Sequence, residues 1–151
     1  MCGIIGFVRT EDSFKGETPL LPHSGEAGSP NHPQPHALPH SPTHSASAAS
    51  LVLEGLRRLE YRGYDSAGIA SLHNGKLLVR KDVGCIAEVD ARQNFAGMPG
   101  DVAIGHTRWA TNGDVSQSNA HPQTDAAGHV AVVHNGIIEN YMALRAELES
   151  Q

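Results

Sequence analysis

A cysteine follows the initiator methionine, and the apolar run Gly3-Ile4-Ile5-Gly6-Phe7-Val8 follows the cysteine. A small residue in second place lets aminopeptidases remove Met1. Cys2 would then carry a thiol and a free α-amine together, a nucleophile and a base in one residue. An α-amine titrates at about 7.7–8.0, so near neutral pH it is able to take up the thiol proton. Taken by itself, Cys2 is better read as a small residue chosen for translation or packing. Its meaning depends on what the rest of the chain can bring to it.

Three other groups of residues have the right chemistry. In Gly105-His106-Thr107-Arg108-Trp109-Ala110-Thr111-Asn112-Gly113, Arg108 offers a planar fork suited to a carboxylate. Thr111 adds a hydroxyl and Trp109 a large stacking or gating surface. The bland alternative is a surface arginine packed on a tryptophan. In Val132-Val133-His134-Asn135-Gly136, an Asn amide beside a Gly N–H has the makings of an oxyanion hole. In isolation it reads as a plain Asn-Gly turn. The stretches Tyr61-Arg62-Gly63-Tyr64-Asp65-Ser66 and Asn119-Ala120-His121-Pro122 read alone as an ordinary helix end and a loop.

These groups need strands and helices to position them. Residues 102–106 and 130–134 read as buried strands, each delivering a polar group at its end. Val52, Leu53, Leu56 and Leu59 recur at helical spacing, with Arg57, Arg58 and Arg62 toward the C-terminal end and Gly63 as the stop. Residues 66–72 and 77–81 read as strands joined at His73-Asn74-Gly75-Lys76, where Asn-Gly signals a hairpin. Residues 88–95 read as a short helix, 111–123 as a polar loop, and 140–149 as a helix with Met142, Leu144 and Leu148 apolar.

Between residues 11 and 49 the composition changes. Seven of the nine prolines lie there, and no charged residue occurs between Ala27 and Ser50. Such a stretch cannot bury enough apolar surface to offset its ordering entropy, so it reads as a disordered insertion. His32, His36, His40 and His44 recur every fourth residue, but the prolines between them forbid the helix that would align them. A linker is therefore favoured over a metal site. The expected organisation is residues 2–10 as the first strand of a domain, 11–49 as the insertion and 50–151 as the remainder.

Net charge is −5 and no basic cluster is present, which argues against nucleic acid as a partner. No apolar run is long enough to span a bilayer, and Gly3–Val8 is too short for a secretory signal core. The two cysteines, Cys2 and Cys85, make no disulfide framework, so a reduced, cytoplasmic protein is expected.

Taken together, CGIIGFV, LEGLRRLEYRGYDSAGIA, GHTRWATNG, NAHP and VVHNGIIENY resemble the glutaminase domain of the glutamine–fructose-6-phosphate aminotransferases. They occur in that family's order and cover most of the chain outside the insertion and residues 76–100. The N-terminal CGI alone marks the wider class of N-terminal-nucleophile amidotransferases. The resemblance implies an α+β fold, a four-layer αββα sandwich, incomplete here at the C-terminus. It implies that Cys2 attacks the glutamine side-chain amide, forming a γ-glutamyl thioester, with its own amine as base. Asn135 and Gly136 would stabilise the oxyanion, and Arg108 would hold the substrate carboxylate, helped by Thr111 and His121. Trp109 would gate ammonia passage, and Arg62 would order the site.

The same resemblance implies glutamine and fructose 6-phosphate as partners, the latter through an isomerase domain beyond this sequence. It further implies no metal or organic cofactor and a homo-oligomer. Asn112 departs from the family's usual histidine. An acidic residue for the substrate amine is expected from a segment after the 140–149 helix, so the chain alone is expected to be a weak or inactive glutaminase. Two alternatives stand beside this reading: a phosphoribosyl-pyrophosphate-type amidotransferase, and a non-catalytic interaction protein reusing the fold.

Overall fold

The computed structural model describes residues 2–9 and 46–151. The expected insertion and its histidines lie almost wholly outside the described residues. Its two flanks meet in space: the Arg9 guanidinium donates to the Ala46 carbonyl and pairs with Asp101 at 3.6 Å.

A four-stranded antiparallel sheet forms the frame. Its strands are β1 (Gly3–Val8), β2 (Ser66–His73), β3 (Lys76–Val83) and β4 (Val102–Arg108), in the order β1-β4-β2-β3. β2 and β3 form the expected hairpin. Asn74 and Gly75 take φ of 50° and 73°, both left-handed, as the twist-matched two-residue turn requires. β1 occupies an edge and pairs with β4 from Gly3↔Thr107 to Val8↔Val102.

Helix α1 (Ala48–Leu59) begins two residues before the expected boundary because Ser47 caps it, its side chain accepting from Ser50 N at 3.2 Å. Its apolar stripe buries Val52, Leu53 and Leu56 on the sheet. Gly105 on β4 makes the room: a Cβ there would lie 2.5 Å from Val52 and 2.8 Å from Leu56. Helix α2 (Ile86–Gln93) packs on the same face, with Ile86 and Val89 buried. It ends earlier than the expected 88–95 helix because Asn94 is left-handed and Asp90 accepts from Phe95 N at 2.8 Å.

Strand alternation then decides which side chains are free for chemistry. On β4, Gly105 lies under α1, so His106 and neighbouring even positions point to the opposite face. A short ribbon of β5 (Gln123–Thr124) and β6 (Ala131–Val132) lies over that face. The α+β class is as expected. The described residues supply a helical layer, the four-stranded sheet and this ribbon on its other side. The 130–134 stretch, expected as a buried strand, pairs over only two residues, and Val130 and Val132 are 55% and 51% exposed. Val130 and Ala131 line an open groove against Leu72, Leu77 and Val102 of the sheet. Helix α3 (Tyr141–Glu149) forms close to its expected span but buries no residue.

Leu56, on the sheet-facing side of α1, is fully buried. Leu56→Ala should lower unfolding free energy by about 2–5 kcal/mol through lost contacts and a residual cavity. A urea unfolding curve reads this directly; an unchanged midpoint would show that α1 does not carry the core.

Candidate active site

Cys2 sits just before β1, and the β1–β4 ladder carries it to the C-terminal end of β4. Gly3 N donates to Thr107 Oγ1 at 3.2 Å and fixes that end of the ladder. The Cys2 sulfur accepts from Trp109 N at 3.2 Å and lies 3.6 Å from the Trp109 carbonyl oxygen, to which the thiol donates. The nucleophile candidate is thus held by the backbone at the point where β4 turns into a loop.

That turn is built by the 61–66 segment. Asp65 N donates to Arg108 O at 3.0 Å, and its carboxylate accepts from Ala110 N at 2.7 Å. The two bonds bracket Trp109. Gly63 allows the approach: a Cβ there would sit 2.7 Å from the Arg108 carbonyl carbon and 2.9 Å from Trp109 N. Tyr64 meets the indole edge-on, ring centres 5.4 Å apart.

Asn135 reaches Cys2 from the other side, its Nδ2 donating to the Cys2 carbonyl at 3.0 Å. Its Oδ1 lies 2.8 Å from His106 Nε2. Gly136, at φ 152°, adopts backbone geometry that favours glycine. Arg108 bonds its own loop, donating to Asp114 O at 2.9 Å and to the Asn112 carbonyl. Asn112 therefore takes part through its backbone, which a histidine would supply equally.

All the residues expected at the site line two adjoining cavities. Cys2, Arg108, Trp109, Thr111, His121 and Gly136 line one, and Arg62 and Asn135 line the second beside Cys2, Trp109, Thr111 and Gly136. The sequence reading gave Gly63 only as a helix stop and gave Asp65, Thr107, His106 and His134 no role in the site. For His106 a signal was present: it lies two residues before Arg108 on a strand, hence on the same face.

The site is cationic, and its imidazoles respond. His106 is 1% exposed, and its ring centre lies 4.6 Å from that of His121. Burial above all lowers the His106 pKa to about 4; the positive fields of His121 and Arg108 add to this, while the bond to Asn135 opposes it. Burial likewise lowers His121, with Lys81, Arg108 and His134 contributing. Lys81 Nζ donates to Ala120 O at 2.7 Å and Pro122 O at 3.0 Å, pinning the loop that carries His121. Among the described residues no cluster of three or more His, Cys, Asp or Glu is arranged to hold a metal ion, and no helix is long and apolar enough to cross a membrane.

No family model matches the chain. The glutamine–fructose-6-phosphate aminotransferase [isomerizing] of Pyrococcus horikoshii is 54% identical over 101 residues, covering 67% of this chain and 17% of that protein. The enzyme of the same name from Corynebacterium efficiens is 43% identical over 152 residues, covering 100% of this chain and 20% of that protein. The chain belongs to the glutamine–fructose-6-phosphate aminotransferase family. It spans about a fifth or less of the length of these relatives. Among solved structures, the glutamine phosphoribosylpyrophosphate amidotransferase from B. subtilis matches with a TM-score of 0.60 and 33% identity, over 70% of this chain and 23% of that one. A structure described as the allosteric regulatory enzyme of purine biosynthesis matches with a TM-score of 0.61 and 34% identity, over 69% and 23% respectively. These likenesses place the fold among the N-terminal-nucleophile amidotransferases.

Two outcomes follow from this geometry. Gly63→Ala should cost about 1–3 kcal/mol by driving a methyl group into the Arg108–Trp109 backbone, and should shift the fluorescence of Trp109, the single tryptophan. Stability should also depend on pH. His106 binds a proton less readily when folded than at its ordinary 6.5. Its contribution is therefore complete above pH 6.5 and is lost as pH falls toward about 4. Thermal unfolding midpoints should decline across that window, with a shallower decline in His106→Gln. Equal slopes in the two proteins would show that His106 is not buried as a neutral imidazole.

Proposed function

We propose that the chain is the glutamine-hydrolysing part of an enzyme that makes glucosamine 6-phosphate and glutamate from fructose 6-phosphate and glutamine. The observation that carries this is the Cys2 sulfur held 3.2 Å from Trp109 N, with the Asn135 amide on the same residue's carbonyl. Family membership supports the acceptor. The solved amidotransferase likenesses favour a second reading, phosphoribosyl pyrophosphate as acceptor. Identities of 54% and 43% to the fructose-6-phosphate enzymes, against 33% and 34%, weigh toward the first.

In the proposed reaction Met1 is removed and the freed α-amine takes the thiol proton. The sulfur attacks the γ-amide carbon, forming the C–S bond and a tetrahedral oxyanion. One N–H of the Asn135 carboxamide and the Gly136 backbone N–H stabilise that oxygen. An amide nitrogen has two hydrogens, so Asn135 can keep its bond to the Cys2 carbonyl and still donate to the oxyanion. The amine returns its proton to the departing nitrogen, the C–N bond breaks and ammonia leaves. Water then hydrolyses the γ-glutamyl thioester to glutamate and the free thiol. Arg108 holds the substrate carboxylate, with Thr111 and His121 beside it. Trp109 covers the ammonia exit, and Arg62 orders the cavity behind Cys2.

A glutamine-like γ-diazoketone tests this on the chain itself, with Cys85 as an internal control. Intact mass and peptide mapping should show one adduct on Cys2, suppressed by excess glutamine and absent in Cys2→Ala. Comparable modification of Cys85, or no protection by glutamine, would contradict the proposal.

A further inference from the structure

The proposed reaction leaves one buried polar contact unused. His106 is almost wholly enclosed and spends its Nε2 on the Asn135 side chain at 2.8 Å. We propose that His106 is a positioning residue, which donates from Nε2 to Asn135 Oδ1 and so locks the carboxamide with its N–H groups facing Cys2. This rests on the reading of Cys2 as nucleophile and Asn135 as oxyanion donor.

The direction of the bond follows from the partners. The Cys2 carbonyl is an acceptor only, and it lies 3.0 Å from one end of the Asn135 amide. That end must be the NH2 group, because an oxygen there would face another oxygen. The other end is then Oδ1, also an acceptor only, so His106 Nε2 must carry a proton. A flipped Asn135 would place acceptor against acceptor at Cys2 and turn its N–H groups away from the substrate. The flip loses the bond to Cys2, and it keeps a bond to His106 only if the ring moves its proton from Nε2 to Nδ1; without His106, the amide is oriented by Cys2 alone.

The ring is well suited to hold one tautomer. Its depressed pKa keeps it neutral at pH 7, so it carries a single proton, and the bond to Asn135 settles that proton on Nε2. β4 supplies the rigidity. His106 is flanked by backbone pairing to Ile4 on β1 and to Gly68 on β2, while His121 stacks on its ring. The expected cost of losing it is smaller than that of deleting an oxyanion donor outright, which is about a hundredfold to a thousandfold, because Asn135 itself remains.

Two measurements test the proposal on the whole chain. Long-range 1H–15N correlation at pH 7 should show His106 neutral and protonated at Nε2; an Nδ1–H tautomer or an imidazolium would overturn it. The second compares the chain with His106→Leu and His106→Gln, using the glutamine-like γ-diazoketone and iodoacetamide. In His106→Leu the limiting rate of diazoketone inactivation should fall about tenfold to a hundredfold, by the smaller-than-donor-loss argument above. The half-saturating reagent concentration and the iodoacetamide rate at Cys2 should stay within about threefold. Gln, which keeps an N–H donor, should recover most of the loss. An undiminished diazoketone rate in His106→Leu, or equal losses in both variants and with both reagents, would overturn the proposal. Failure of the unaltered chain to react selectively at Cys2 would instead overturn the functional reading, and the tautomer measurement would still decide the His106–Asn135 contact.

Discussion

The pairing of β1 with β4 is the constraint on which the site depends. Cys2 has chemistry to offer only if the chain's first residues are brought to residues 106–109, and the antiparallel ladder from Gly3↔Thr107 to Val8↔Val102 does this. β1 is an edge strand held by one neighbour, so its register needs further support. The Gly3–Thr107 bond fixes one end, and Arg9, bonded to Asp101 O at 2.7 Å, fixes the other. A slip of one residue would turn Ile5 and Phe7 away from the core and carry Cys2 off the Trp109 N–H.

Around that point the fold sets a rigid corner beside cavities lined by Arg108 and Arg62. Asp65 and Gly63 fix the backbone that holds the sulfur, and the carboxylate of Asp65 is spent on one backbone N–H. Behind the site, burial disfavours the charged forms of His106 and His121, and the permanent cations lining the cavities are Arg108 and Arg62. On the proposed reading the substrate carboxylate meets the Arg108 guanidinium, which the carbonyls of Asn112 and Asp114 hold in place.

Much of this was legible in the chain. The hairpin was visible because Asn74-Gly75 has a local conformational requirement, and α1 because its apolar residues recur at one period. The residues that line the cavities were legible only as a set: alone, Cys2 read as a small residue, Asn135-Gly136 as a turn, and the 61–66 and 119–122 stretches as a helix end and a loop. What escaped was contact across distance. Asp65 bonds Ala110 across 45 positions, and no periodicity near either residue announces it. The 130–134 stretch failed for a related reason: apolar sequence shows a capacity for burial, but a covering surface decides whether burial occurs. The face shared by His106 and Arg108 could have been read from strand alternation alone.

The central claim is that Cys2, freed of Met1, forms a covalent bond to the γ-carbonyl of glutamine. Rapid acid quench of the chain with isotopically labelled glutamine, followed by intact mass and N-terminal peptide mapping, tests it directly. The account predicts a hydroxylamine-labile γ-glutamyl adduct on Cys2, even where turnover by the chain alone is slow, confined to molecules that have lost Met1 and more abundant in the unaltered chain than in Gly63→Ala protein. A label on Cys85, or glutamate release with no Cys2 adduct at any quench time and undiminished in Cys2→Ala, would contradict it.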